Sequence, residues 1–231
     1  MLTFKHSGNA GDIIYSLPAI KTLTDNAVLF LNLNVRIQMR NPEEHPVGGV
    51  QLNETMFKML KPLLLGTGFI KGVYVYNNEE IDYNLDRFRA QPINLSMGNI
   101  SRWYSNIVEK PVNLTDPWLN SYSILNNRVV IARSERYLNP NLDYSFLTEF
   151  NPLFLGIEKE FAIMARIIKG LEFYPVKNFM EMAQMISGSR LFIGNQSLPY
   201  AIAEGLKVRR ILETCLYAGN VIPCGGECIE V

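Results

Sequence analysis

Along this chain the apolar residues fall into short blocks whose period switches repeatedly between two, the repeat of a strand, and three to four, the repeat of a helix. The opening "MLTFK" is a short apolar-leaning run that predicts a strand. Ile13, Ile14, Leu17, Ile20 and Leu23 then share one helical stripe, with Pro18 inside it as a predicted kink or restart. "AVLFLNLNVRIQM" (27–39) alternates and predicts a strand, "ETMFKMLKPLLLG" a helix stopped by Gly66, and "IKGVYVYN" another strand. Between about 82 and 110 the pattern is mixed, with "LDRFRAQ" and "SRWYSNIVEK" as short helical candidates.

Residues 110–127, "KPVNLTDPWLNSYSILNN", carry two prolines and many turn-forming polar residues, the composition of a linker. Beyond them the rhythm restarts. "RVVIA", "PLFLG", "LEFYP", "RLFIG" and "VRRILE" read as strands, separated by the helical stretches "EKEFAIMARIIKG", "VKNFMEMAQMISG" and "YAIAEGL". Strands alternating with helices in this way build parallel sheets covered on both faces. The expected organisation is two α/β halves, residues 1–115 and 116–231.

Composition narrows the class. At 231 residues and 48% hydrophobic the chain can bury a full core. Lysine plus arginine equals aspartate plus glutamate at 22 each, so no net field draws the molecule to nucleic acid or an anionic membrane, and any anion must be bound locally. No apolar run approaches the roughly 20 residues of a membrane span, and no secretory leader is evident, so a soluble, cytoplasmic protein is expected. The three cysteines, Cys215, Cys224 and Cys228, suit a reducing compartment. Cys224 and Cys228 in "CGGEC" have only His6 and His45 as potential helpers, so no metal centre is expected.

In open parallel sheets ligands bind beyond the carboxyl ends of the strands, which singles out four loops. The first is "GNAGDIIYSLPAIK" (8–21): Gly8 and Gly11 permit close backbone approach at a helix N-terminus, and Asp12 sits at its mouth as either a helix cap or a working carboxylate. Its G-x-x-G-D spacing matches neither a dinucleotide fingerprint nor a P-loop. The second is "FIGNQSLPYAIAEGL", where Gly194, Asn195, Gln196 and Ser197 join a strand to a helix, forming either a phosphate cradle or a plain turn. The third, "ARSERY", offers Arg133 and Arg136 as a bidentate phosphate clamp, against the alternative of surface ion pairs. The fourth, Gly156 to Glu158, places a carboxylate either near a ribose or simply at a helix start.

"GNAGDIIYSLPAIKTL" resembles the first loop and helix of the ADP-heptose:lipopolysaccharide heptosyltransferase family, and "NFMEMAQMISGSRLFIGNQSLPYAIAEGLKV" is similar to that family's second-domain segment around a "G-N-D-S-G-P" turn. Gln196 and Leu198 replace the family's aspartate and second glycine there, and the histidine that often follows is absent. The resemblance implies a GT-B-like architecture of two Rossmann-like domains facing each other across a cleft, acceptor on the first and nucleotide-sugar donor on the second. By that likeness Asp12 is the general base of an inverting transfer of a sugar, heptose in the family, from a nucleotide-diphosphate donor to a glycan or lipopolysaccharide-type, lipid-linked acceptor. The leaving diphosphate is met without metal or further cofactor by the 194–197 turn, with Gly8, Gly11, Arg133, Arg136 and Glu158 as the remaining candidate donor contacts. The alternatives are a catalytically idle nucleotide- or glycan-binding relative, or an unrelated α/β binding module. Trp103, Tyr104 and Trp118 are either sugar-stacking or core residues. Gly219 to Glu227, "GNVIPCGGE", reads as a terminal turn or a loop over the site.

Overall fold

The computed structural model describes residues 1–37, 48–92 and 94–231. The chain forms two compact units, one of Met1–Leu95 with Asn99–Asn113, the other of Ser96–Gly98 with Leu114–Val231.

In the first unit β1 (Leu2–His6) leads into α1 (Ala10–Leu23), β2 (Ala27–Leu31), α2 (Glu54–Leu65), β3 (Ile70–Val75) and β4 (Tyr83–Asn84), followed by a 3-10 turn over Leu85–Ala90 and two single-turn helices, α3 (Ile100–Trp103) and α4 (Ser105–Val108). The strands form one parallel sheet in the order β3-β2-β1-β4. β2, "AVLFL", is apolar at every position because both faces of a parallel strand are covered. α1 runs through Pro18 without a break: the ring removes one backbone donor, and the helix stays in place because nine of its residues, from Ala10 to Ile20, are buried. The strand expected over 27–39 stops at Leu31. Asn34 takes a left-handed conformation (φ 60°), Arg36 makes a lone antiparallel bridge to Val50, and residues 38 and 39 of the expected strand lie outside the described residues.

The second unit holds β5 (Val129–Ala132), a 3-10 turn over Ser145–Phe150, β6 (Leu153–Phe154), α5 (Glu158–Met164), β7 (Glu172–Phe173), α6 (Phe179–Ser187), β8 (Leu191–Asn195), α7 (Leu198–Leu206), β9 (Arg210–Glu213) and β10 (Cys228–Glu230). All six strands are parallel, in the order β10-β9-β8-β5-β6-β7. The chain thus winds outward from β5 in one direction and then from β8 in the other, the doubly wound order of dinucleotide-binding sheets. The core on one face gathers Val129, Ile131, Phe154, Met164, Ile168 and Ile193.

Two expectations are corrected here. The predicted linker from Leu114 onward is a strap of the second unit: Trp118 and Leu119 are buried and both donate their backbone N–H to the Gly205 carbonyl, at 3.0 and 3.1 Å. Further along, the strap crosses Gly188 so closely that a Cβ there would lie 2.0 Å from the Ile124 carbonyl oxygen, which only glycine tolerates. The late glycine-rich stretch is not a plain turn, since it leads into β10. Its backbone is anchored by a buried ion cluster, with Glu204 Oε1 accepting from the Cys224 N–H (3.0 Å) and Arg210 Nη2 donating to the Gly225 carbonyl (2.9 Å). Glu204 in turn holds Arg210 through Nε at 2.7 Å and Lys207 through Nζ at 2.6 Å, which compensates charges otherwise costly to bury.

Candidate active site

Each sheet has one topological switch point, between β1 and β4 in the first unit and between β5 and β8 in the second, and the loops leaving those strands carry most of the candidate residues. In the first unit the β1 loop opens α1. Asn9 is its N-cap, Gly11 lies in its first turn, and Asp12 is the third helical residue. The Asp12 carboxylate accepts the Asn9 N–H (3.3 Å), so it does act as a cap, but its shorter contact is with Arg89 Nη2 at 2.6 Å, from the loop after β4. The same loop sends Asp86 to the Ser7 N–H at 2.7 Å, and Arg89 stacks on Phe88 at 4.3 Å. At Gly8 an added Cβ would meet His6 Cε1 at 2.5 Å, Asp12 Oδ2 at 2.8 Å and Arg89 Nη2 at 2.9 Å, so the glycine is required by close packing around the carboxylate.

Behind this rim lies a buried relay. The Gly8 N–H can only donate, so His6 Nδ1, 2.8 Å away, must accept, and the ring proton of the neutral imidazole sits on Nε2. Nε2 then donates to Tyr104 Oη (2.8 Å), whose own proton goes to the Asp12 carbonyl (3.2 Å). Burial lowers the His6 pKa from 6.5 to about 3, with Asp86 opposing and Arg89 reinforcing the shift. The 3.8 Å approach of Asp86 to Nδ1 is therefore a contact with a neutral ring. Burial and the neighbouring Asp12 hold the Tyr104 hydroxyl well above its usual range, which keeps it a donor.

In the second unit the expected two-arginine clamp is corrected. Arg133 is taken up by a buried carboxylate: it forks onto Glu213, through Nε at 2.6 Å and Nη2 at 2.9 Å. Glu213 is fully buried and needs this partner, along with the Tyr144 hydroxyl (2.8 Å) and the Asn139 N–H (2.6 Å). Arg136 differs: its Nε is buried and meets no acceptor among the described residues, and its guanidinium lies 5.6 Å from the Tyr137 ring.

Asn195 is wholly buried and staples the two switch-point loops together: Oδ1 accepts the Ser134 N–H (3.0 Å), and Nδ2 donates to the carbonyls of Ser134 (2.9 Å) and Arg136 (2.7 Å). Its side chain thus shapes the loops instead of facing a ligand. Gln196 Nε2 donates to Asn220 at 2.8 Å, tying in the loop after β9, and Ser197 is the N-cap of α7, with Pro199 in the first turn. Gly194 allows β5 and β8 to pair, because a Cβ there would lie 2.8 Å from the Ala132 carbonyl. Glu158 is exposed in the first turn of α5, where it complements the helix dipole. Trp103, Tyr104 and Trp118 are buried and belong to the core. Among the described residues no group of three or more His, Cys, Asp or Glu is placed to hold a metal ion, and no helix is long and apolar enough to cross a membrane; His45 lies outside the described residues.

The residues that sequence reasoning missed are His6, Asp86, Arg89 and the hydroxyl of Tyr104. Arg89 lies 77 positions from Asp12, and the strand that delivers it, β4, is only two residues long, too short to leave a periodic signal.

The chain matches no protein-family model and no curated protein. Solved structures do resemble it. A glycosyl transferase family 9 protein from Veillonella parvula superposes with a TM-score of 0.63 at 10% identity, over 100% of this chain and 85% of that one. The iron-containing dodecameric heptosyltransferase TibC, in complex with ADP-D-beta-D-heptose, gives 0.56 at 11% identity over 92% of this chain and 57% of that one. Escherichia coli heptosyltransferase WaaC, with ADP-2-deoxy-2-fluoro heptose, gives 0.50 at 10% identity over 100% and 92%. At such identities the likeness is one of fold: mixed α/β with two parallel sheets, the GT-B-like fold of these glycosyltransferases.

Proposed function

We propose that this chain is a glycosyltransferase that moves a sugar from a nucleotide-diphosphate donor to a hydroxyl of a glycan or lipid-linked acceptor. The observation that carries the reading is the Asp12 carboxylate at the switch point of a Rossmann-type sheet, held by the Asn9 N–H and Arg89, packed against Gly8, with its own backbone carbonyl accepting from Tyr104 at the end of the His6 relay. The structural likeness to heptosyltransferases supports the same reaction class.

In this proposal Asp12 is the general base, taking the proton of the acceptor hydroxyl as its oxygen attacks the anomeric carbon with inversion. The donor diphosphate lies against the second unit, where Arg136 and the backbone N–H groups opening α7 face the developing charge. Asn195, Gln196, Arg133 and Gly194 set the shape of those loops. No metal or further cofactor takes part, and the protein works in the cytoplasm.

Thermal denaturation with ADP-, UDP-, GDP- and CMP-sugars tests donor binding, because a donor at a hundred times its dissociation constant adds about 2.7 kcal/mol of stability. No shift with any of them counts against the reading. Once a donor is found, Asp12→Asn is expected to lower turnover by at least about a hundredfold while leaving the donor shift in place. An unchanged rate removes Asp12 from the chemistry, and a protein that binds donor but never turns it over is the idle relative instead.

A further inference from the structure

On the face of the second sheet opposite α6 and α7 a row of apolar side chains runs in register across four strands, Ile131 to Ile193, Ile193 to Ile211, and Ile211 to Ile229. Its inner half is packed: Ile131 and Ile193 lie in the core with Tyr144, Leu147 and Phe154. The outer half is open. A groove of about 510 Å³ lies over Leu191, Ile211 and Ile229, walled by Phe146 and Phe150. Ile229 is 59% exposed and Phe146 60%, in a chain whose other large apolar side chains are mostly buried.

The groove ends at β10, the last strand of the sheet. The hydrogen bonds to β9 fix which backbone groups of β10 are used. The Glu227 carbonyl accepts from the Arg210 N–H, the Val231 N–H donates to the Leu212 carbonyl, and the Val231 carbonyl accepts from the Thr214 N–H. Odd-numbered residues therefore turn their backbone groups inward to β9. By the two-residue repeat of a strand, Cys228 and Glu230 turn theirs outward, where the sheet ends.

We infer that β10 is a dimerisation edge, at which a second copy of this chain pairs with the first across a two-fold axis centred on Ile229. The pairing is antiparallel. Cys228 exchanges both backbone hydrogen bonds with the partner's Glu230, and Glu230 does the same with the partner's Cys228, which uses the outward groups and no others. Ile229 then faces the partner's Ile229 as a non-hydrogen-bonded pair, the closer of the two antiparallel spacings.

Such an axis stands perpendicular to the sheet and keeps the apolar row of both copies on one face. Ile211 and Ile229 continue into the partner's Ile229 and Ile211, and Val231, 44% exposed, is brought beside them. The charges permit this register. Among the side chains no like-charged pair stands directly opposite, since Glu227 comes opposite the partner's Val231 and Glu230 opposite the partner's Cys228. Isologous pairing also satisfies an edge that would otherwise be a template for open-ended association, because the two-fold brings the β10 edges of the two copies together and leaves neither of them open.

Sedimentation velocity on the full chain over a roughly hundredfold dilution series is the first measurement. The expected species at the concentrated end has twice the 26.3 kDa chain mass. Glu230→Pro removes only an outward N–H, which an edge strand tolerates, so β9–β10 pairing and the melting transition should persist while dimer affinity falls more than about tenfold. Ile229→Cys should form a covalent dimer under mild oxidation, since the paired Cα atoms lie within disulfide reach, whereas the native chain with its own three cysteines should not. A chain that stays monomeric throughout, a dimer indifferent to Glu230→Pro, or an Ile229→Cys protein that does not cross-link overturns the proposal.

Discussion

Lowering the pH should weaken the first unit through a single buried side chain, His6. In the folded chain its pKa lies at about 3, against 6.5 for an exposed imidazole, so the native state holds the ring neutral while the unfolded chain protonates it. A base whose folded pKa is depressed contributes its full stability above about pH 6.5 and loses it as the pH falls toward 3. Between about pH 7 and pH 5 the unfolded state gains about three quarters of a proton that the native state does not, which amounts to about 2 kcal/mol. Glu54 and Asp82, held low by hydrogen bonds to Lys58 and to Thr3, lose their contributions only within the carboxylate range, below this window.

The assay is urea unfolding followed by tryptophan fluorescence. Trp103 lies in the first unit and Trp118 in the second, so Trp118→Phe isolates the signal. With a slope of 1–2 kcal/mol/M, the midpoint should drop by about 1–2 M between the two pH values. His6→Asn keeps an acceptor for the Gly8 N–H but cannot titrate; whatever its absolute stability, its midpoint should be nearly level over the same window. Equal pH slopes for the two proteins, or a native His6 resonance that titrates near 6.5, would refute the tautomer and burial argument.

Three further outcomes follow from the same geometry. Gly8→Ala forces a methyl into contact with His6, Asp12 and Arg89, and should cost about 1–3 kcal/mol in urea unfolding while displacing the Asp12–Arg89 pair in a crystal structure. Glu213→Gln leaves Arg133 charged and nearly buried with a neutral partner, so a loss of about 3–5 kcal/mol is expected, most of it recovered in the Glu213→Gln, Arg133→Met double variant; additive losses in the cycle would show that the two do not act as a pair. If the proposed transfer proceeds without metal, dialysis against a chelator should leave turnover within about twofold, and a loss restored by a divalent ion would demand a metal in the reaction.

Much of this architecture was legible because parallel strands are apolar on both faces and the helices between them keep a clear stripe: β1, β3, β5, β8 and β9 fall where the periodicity puts them. The failures share a physical origin. β10 and β4 are two- or three-residue strands formed because a neighbour offers backbone partners, a condition invisible in local sequence. The strap from Leu114 to Asn127 has linker composition yet is buried in part, because Gly188 and Gly205 let its backbone lie directly on α6 and α7. The place of Asp12 in the first turn of α1 was legible from the glycine turn before it. Arg133 was misread because its partner, Glu213, ends a strand 80 residues later, and only the fold shows that a buried carboxylate there must be matched by a cation.

The two switch points also differ in what they leave unsatisfied, and this bears on which ligand each suits. In the first unit Arg89 pairs with Asp12 at 2.6 Å, and Lys5 lies 3.7 Å from Asp86, so the nearby cations are already matched to carboxylates. A diphosphate arriving there would have to compete with both acids for its positive partners. In the second unit Glu213 is neutralised by Arg133 and buried, Asn195 is closed on backbone groups, and Arg136 makes no ion pair among the described residues while its Nε lacks an acceptor. An anion arriving there can use a cation without breaking an existing pair, and meets the first turn of α7 as well. A hydroxyl-bearing acceptor suits the first arrangement, because a carboxylate accepts a hydroxyl proton and neutral sugar oxygens lose little beside fixed charges of both signs. This ordering makes a discriminating expectation: Arg136→Ala should weaken the donor-dependent thermal shift with little effect on acceptor saturation, and Arg89→Ala should do the reverse. If both substitutions erode donor binding alike, the division of roles between the two sheets is wrong even if the reaction class is right.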